Sequence, residues 1–160
     1  MNPLELIALA RVLVDGVIAG DLDSATQTEL RRAVSCAYYA MFHTLALSNA
    51  NTLIGASPAD QQRWAWQQTY RAADHRPTRN KLSSASLGGR FPRAIRRFGV
   101  AFADVQRVRH SADYDPEARF VIESVLTAIE DAASAMAAFE IVSEKDRRAF
   151  AVYVTTPLPR

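Results

Sequence analysis

Residues 29–50 read ELRRAVSCAYYAMFHTLALSNA, and the spacing of their apolar side chains decides the fold class. Leu30, Val34, Ala37, Tyr38, Met41, Phe42 and Leu45 recur at intervals of three and four, which gathers them on one face of an α-helix. A half-buried strand would need alternation by two. Thr26 and Glu29 have the spacing of a capping box, so this helix is expected to begin between Ser24 and Thr26 and to run through Ala50 as the central core element. Tyr38 and Tyr39 point about 100° apart on such a helix, so one is expected in the core and the other at a polar site or a dimer seam. His43, next to Phe42, reads as a core or interface imidazole, the alternative being a general base.

The flanking sequence repeats the helical pattern. Leu6, Leu9, Ala10, Leu13, Val14 and Val17 form a stripe that stops near Gly20. Ser57 and Pro58 are expected to open a third helix through Trp64, Trp66 and Tyr70, because proline fits a first helical position without losing a needed hydrogen bond. Between Arg76 and Phe91 the chain carries Pro77, Ser83, Ser84, Ser86, Gly88 and Gly89, which reads as a mobile loop too long for a tight turn. Pro92 starts a fourth helix with Ile95, Phe98, Phe102, Val105 and Val108 inward, and Asp115 with Pro116 is expected to cap a fifth that includes Leu126. Ser143 caps a short sixth containing Phe150 and Val154. The reading is all-α: one domain over residues 1–155, an antiparallel up-and-down bundle of four to five core helices plus a short C-terminal helix, with a flexible tail at 156–160.

With 160 residues, 49% hydrophobic and 22% charged, the chain suits one globular domain with a real core. No stretch approaches the ~18 to 20 apolar residues of a membrane span, so a cytoplasmic protein without membrane attachment is expected. Cys36 is the lone cysteine and excludes an internal disulfide. Gly88 and Gly89 lack the following Lys and Ser or Thr of a phosphate loop, and no His and carboxylate spacing suggests a metal centre, so neither metal nor cofactor is expected. The formal charge of +2 conceals an asymmetry. Arg63, Arg71, Arg76, Arg79, Lys81, Arg90, Arg93, Arg96 and Arg97 are opposed in their segment by Asp74 alone, while acids prevail from Asp104 to Asp146. Arg76, Arg79, Lys81, Arg90 and Arg93 around the loop are candidate RNA contacts, and an acidic partner is the other occupant such a surface suits.

Residues 107–115, RVRHSADYD, hold the candidate chemistry. On a helix Arg109 and Asp113 are four apart, His110 and Tyr114 four apart, and His110 and Asp113 three apart, which places a guanidinium, an imidazole, a carboxylate and a phenol on one polar face. Arginine grips phosphate bidentately and histidine titrates near neutral pH, so the group suits a phosphodiester. The plainer reading is an exposed helix end with a weak surface ion pair.

LRRAVSCAYYAMFH at 30–43 and RHSADYD at 109–115 together resemble the HEPN superfamily, in order, spacing and helical context, across roughly residues 4 to 140. The resemblance implies a dimerising antiparallel helical bundle. It also implies metal-independent RNA cleavage at a composite site where the Arg and His of two subunits meet. The superfamily pattern is Arg, four to six residues, then His; here the position five beyond Arg109 is Tyr114, and the nearby imidazole is the adjacent His110. Within that resemblance Arg109 is the phosphate-binding cation, His110 the acid or base, Tyr114 a hydrogen-bond donor to phosphate and Asp113 the group that orients Arg109 or His110. Two functions follow from it: a ribonuclease acting as the toxin of a toxin–antitoxin or phage-defence module, with an antitoxin or nucleotidyltransferase partner, or a non-catalytic dimeric binding and assembly module.

Overall fold

A 30-residue helix organises the molecule because the other helices all lean on it. The computed structural model describes residues 2–19, 24–72, 81–82 and 87–156, with the side chains of residues 24 and 25 excepted. Within them are α1 (Pro3–Ala19), α2 (Ser24–Leu53), α3 (Arg63–Arg71), α4 (Arg93–Tyr114), α5 (Ile122–Glu140) and α6 (Glu144–Thr155), and no strand. The fold is an all-α bundle. α2 packs against each of the other five helices, and α4 and α1 also pack on α5. Among the described residues no helix is long and apolar enough to cross a membrane.

The core follows the periodicity. Val34, Tyr38 and Met41 of α2 meet Phe98, Phe102 and Val105 of α4, and all are buried. Phe42 and Leu126, expected in the core, are only partly buried and pack against its edge. Aromatic rings tie the layers together: Phe98 stacks on Phe139 at 4.6 Å between centroids, Phe139 meets Phe150 edge-on at 5.8 Å, and Tyr38 meets Phe102 at 5.6 Å. Such offset and edge contacts add to the burial of area by roughly 0.5–1.5 kcal/mol per pair. Tyr38 is so enclosed that burial pushes its phenol up to about 12.

Two expected helix starts are displaced. Ser57 and Pro58 form a turn, with the Ser57 hydroxyl accepting from the Ala59 N–H, and α3 begins at Arg63 after Gln62. Asp115 and Pro116 also form a turn: Asp115 Oδ1 accepts from the N–H groups of Glu117 (2.9 Å) and Ala118 (3.2 Å), and α5 starts only after Val121. In both cases a Ser or Asp side chain closes a local turn, the alternative that makes these residues ambiguous as cap signals. Ser143 does cap α6, accepting from the Asp146 N–H at 3.2 Å.

The basic segment before α4 is anchored at two points. Residues 76–80 and 83–86 of the expected loop between Arg76 and Phe91 lie outside the described residues, while Leu82 and Leu87 are fully buried. Their seat is Gly99 on α4, where an added Cβ would stand 2.5 Å from Leu87 Cδ1 and 2.7 Å from the Leu82 carbonyl oxygen. Lys81 donates to the carbonyls of Val154 (2.7 Å) and Thr156 (2.5 Å), placing its charge at the C-terminal end of α6, where a cation is favoured. Gly99→Ala should therefore lower the unfolding free energy by about 1–3 kcal/mol in a urea titration, the usual penalty of overpacking; a change below ~0.3 kcal/mol would mean that the segment does not bear on α4.

Candidate functional site

The last two turns of α4 meet a polar stripe on α2. Gln27, Arg31, Ser35, Tyr39 and His43 recur every four residues and so run along one side of the helix. Gln27 brackets the backbone of Phe120, donating to its carbonyl and accepting from its N–H, both at 3.0 Å. Arg31 donates to the carbonyls of Ala112 (2.7 Å), Asp115 (2.9 Å) and Ala118 (2.7 Å), with its guanidinium 5.4 Å from the centre of the Phe120 ring. It thus satisfies carbonyls that the end of a helix leaves open. Arg32, one position on, is exposed as a solvated face would be.

These contacts fix α4 so that Asp113 and Arg109 turn toward α2. Asp113 Oδ1 lies 3.1 Å from Ser35 Oγ, whose single proton is shared between that carboxylate and the Arg31 carbonyl, also at 3.1 Å. Asp113 Oδ2 pairs with Arg109 Nη2 at 2.5 Å. The guanidinium carbon stands 5.4 Å from the Tyr38 ring centre and 5.5 Å from that of Tyr39, a cation–π arrangement that shields its flat face. Nη2 also donates to Tyr39 Oη at 3.4 Å. The Arg109 side chain is only 22% exposed, and its Nε is buried without a hydrogen-bond partner. A guanidinium has five N–H donors. Among the described residues the bonds of Arg109 are all made through Nη2, which leaves Nη1 for another acceptor while Nε is closed off from one.

Beyond Tyr39 the stripe continues into rings. His43 stacks on Tyr39 (6.3 Å between centroids) and on Tyr70 of α3 (5.9 Å), and its Nδ1 shares a short hydrogen bond with the Tyr70 hydroxyl. Trp66 stacks on Tyr70 at 5.2 Å and donates its indole N–H to Asn51 Oδ1 at 2.9 Å. Burial holds His43 below the ordinary imidazole value, with the positive chain terminus a smaller cause, and raises the Tyr70 phenol. At neutral pH both are uncharged.

The structure divides the polar face that the helical spacing of RVRHSADYD suggests. Arg109 and Asp113 belong to the cluster with Ser35, Tyr38 and Tyr39. His110 and Tyr114 form a separate exposed pair, rings 4.9 Å apart, with Tyr114 68% exposed. Arg90 and Arg93 are exposed, Lys81 is held by α6, and Arg76 and Arg79 lie outside the described residues. Of the tyrosine pair, Tyr38 is core and Tyr39 reaches the site. Trp66 packs, whereas Trp64 is 68% exposed. Cys36 is partly buried, and its thiol is raised by burial, which keeps it unreactive. Among the described residues no three His, Cys, Asp or Glu side chains are placed to hold a metal ion. No family model, curated protein or solved structure matches the chain.

Arg31→Ala should remove charge-assisted bonds to the end of α4 and cost about 1.5–3 kcal/mol of unfolding free energy. Denaturation followed by circular dichroism checks it, with Arg32→Ala expected within ~0.5 kcal/mol of the parent.

Proposed function

We propose that the chain is a HEPN-type RNA-binding domain that cleaves RNA without a metal, with Arg109 as the group that grips the scissile phosphate. The observation that carries the reading is the state of Arg109: a mostly buried guanidinium, oriented by Asp113 and Tyr39 and backed by two phenol rings, with Nε buried without a partner and Nη1 making no hydrogen bond among the described residues. An arginine needed only for an ion pair gains nothing from a buried Nε without an acceptor, since an unsatisfied polar group costs about 1–3 kcal/mol. A phosphate oxygen would instead meet the guanidinium at Nη1, since Nε itself is closed off from any incoming group. The desolvated setting also strengthens its attraction for an anion relative to a guanidinium in open water.

The reaction is transesterification. The 2′-hydroxyl of one nucleotide attacks the adjoining phosphorus, a base takes its proton, and the bond to the 5′-oxygen breaks, leaving a 2′,3′-cyclic phosphate and a protonated 5′-hydroxyl. Arg109 would neutralise the charge that builds on the phosphoryl oxygens. The exposed His110 and Tyr114, and the basic residues Arg90 and Arg93 near the start of α4, would guide the strand. In such a reading the chain works as a twofold homodimer and serves as the toxin of a toxin–antitoxin or phage-defence module, with an antitoxin or nucleotidyltransferase as partner. The closed Arg109–Asp113 pair favours a second reading, a non-catalytic dimeric assembly module in which the same network is structural.

Mixed RNA incubated with the protein in EDTA should yield fragments ending in cyclic phosphate, and Arg109→Ala should slow their release by about 10²–10³-fold, as loss of a charge-stabilising donor does. Intact RNA with the parent protein would favour the assembly reading. For binding, Arg90→Gln with Arg93→Gln should weaken affinity for a single strand and reduce the slope of log K against log salt by about 0.7 for each phosphate that is no longer neutralised; an unchanged slope would remove these residues from the RNA path.

A further inference from the structure

The geometry points to His43 as the general base of the Arg109 site, taking the proton from the 2′-hydroxyl through Nε2. The assignment rests on the ribonuclease reading above and draws the imidazole from α2, while Arg109 comes from α4. Among the described residues His43 is the imidazole that shares a ring contact with Arg109: both lie against Tyr39, one at 6.3 Å between ring centroids and the other at 5.5 Å from guanidinium carbon to ring centre. His110 instead sits exposed against Tyr114.

His43 is also held as a base should be. Tyr39 and Tyr70 flank its ring, Phe42 meets its edge at 5.5 Å, and Tyr70 Oη engages Nδ1. In the tautomer that donates Nδ1–H to the Tyr70 oxygen, Nε2 carries a bare lone pair, and this is the form the assignment requires. The groups in ring contact with His43 are Tyr39 and Phe42 from α2 and Tyr70 from α3. None is an acid that would hold the imidazole protonated at neutral pH. Tyr70 acts as a positioning residue. In the step itself the 2′-oxygen forms its bond to phosphorus as its proton passes to Nε2, the bond to the 5′-oxygen breaks, and that oxygen takes a proton from water. The hydroxide so formed is neutralised when the imidazolium returns its proton.

The test compares the parent full chain with His43→Gln, Tyr70→Phe and Arg109→Ala, using cleavage of RNA in EDTA and binding of a 2′-O-methyl strand of the same sequence, which cannot react. His43→Gln is expected to cut at least ~100-fold more slowly, within the usual range for loss of a general base, while binding within about threefold of the parent. The acidic limb of the rate against pH should coincide with the His43 pKa read by NMR, and in Tyr70→Phe the two should move together. If His43→Gln does not fold, as judged by circular dichroism, that joint movement decides: a limb that stays put while the His43 pKa moves overturns the assignment. A parent that cuts RNA beside a folded His43→Gln variant of nearly equal rate overturns the assignment and leaves the ribonuclease reading standing. A parent that does not cut, or an Arg109→Ala variant that cuts as well as the parent, overturns that reading and this assignment with it.

Discussion

The register between the polar stripe of α2 and the end of α4 is the constraint from which the candidate site follows. Gln27, Arg31, Ser35 and Tyr39 engage, in turn, Phe120, the carbonyls from Ala112 to Ala118, Asp113 and Arg109. Each contact is polar and directional, and a slip of α4 by one residue would break all of them together. The apolar contacts behind the stripe, Tyr38 on Phe102 above all, set how closely the helices approach. They do not choose the register alone, because aliphatic and aromatic surfaces tolerate small slides better than hydrogen bonds do.

That arrangement explains how a charged group sits partly buried in the seam between two helices. A guanidinium removed from water needs compensation. Arg109 draws it from one carboxylate, one phenol oxygen and two ring faces, and the compensation is incomplete at Nε. A fully satisfied arginine would be a staple; one with donors left over, in a place of low polarity, is disposed to take an anion. In the proposed reading, His43 on the far part of the same stripe would extend the cluster from anion binding toward proton transfer.

Much of this is legible in the residues, and the parts that are not have physical reasons. The helical class and most of the core follow from spacing, as Val34, Tyr38, Phe98 and Phe102 illustrate. Two helices start later than their capping signals suggest because Ser57 and Asp115 carry side chains that serve a turn as readily as a cap. The anchoring of the basic segment is hidden in the sequence because Leu82 and Leu87 are isolated among Ser and Gly, and only the missing side chain of Gly99, further along the chain, makes room for them. In the site, the pairing of Arg109 with Asp113 follows from their spacing, while the separation of His110 and Tyr114 from it depends on which side of α4 faces α2. The sequence signal that could have found the rest of the site is the recurrence of Gln27, Arg31, Ser35, Tyr39 and His43 every four residues, a polar line on a helix whose other faces are largely apolar.

The central claim is that the Arg109 cluster receives an RNA phosphate, and NMR of the Arg109 Nε–H group during titration with a non-reactive 2′-O-methyl strand tests it most directly. The account predicts that this signal, identified by its loss in Arg109→Lys, shifts as the neighbouring Nη1 takes a phosphate and saturates at the same RNA concentration as the His43 ring signals. RNA that binds while leaving the Arg109 Nε–H signal in place, or that fails to bind at all, would contradict it.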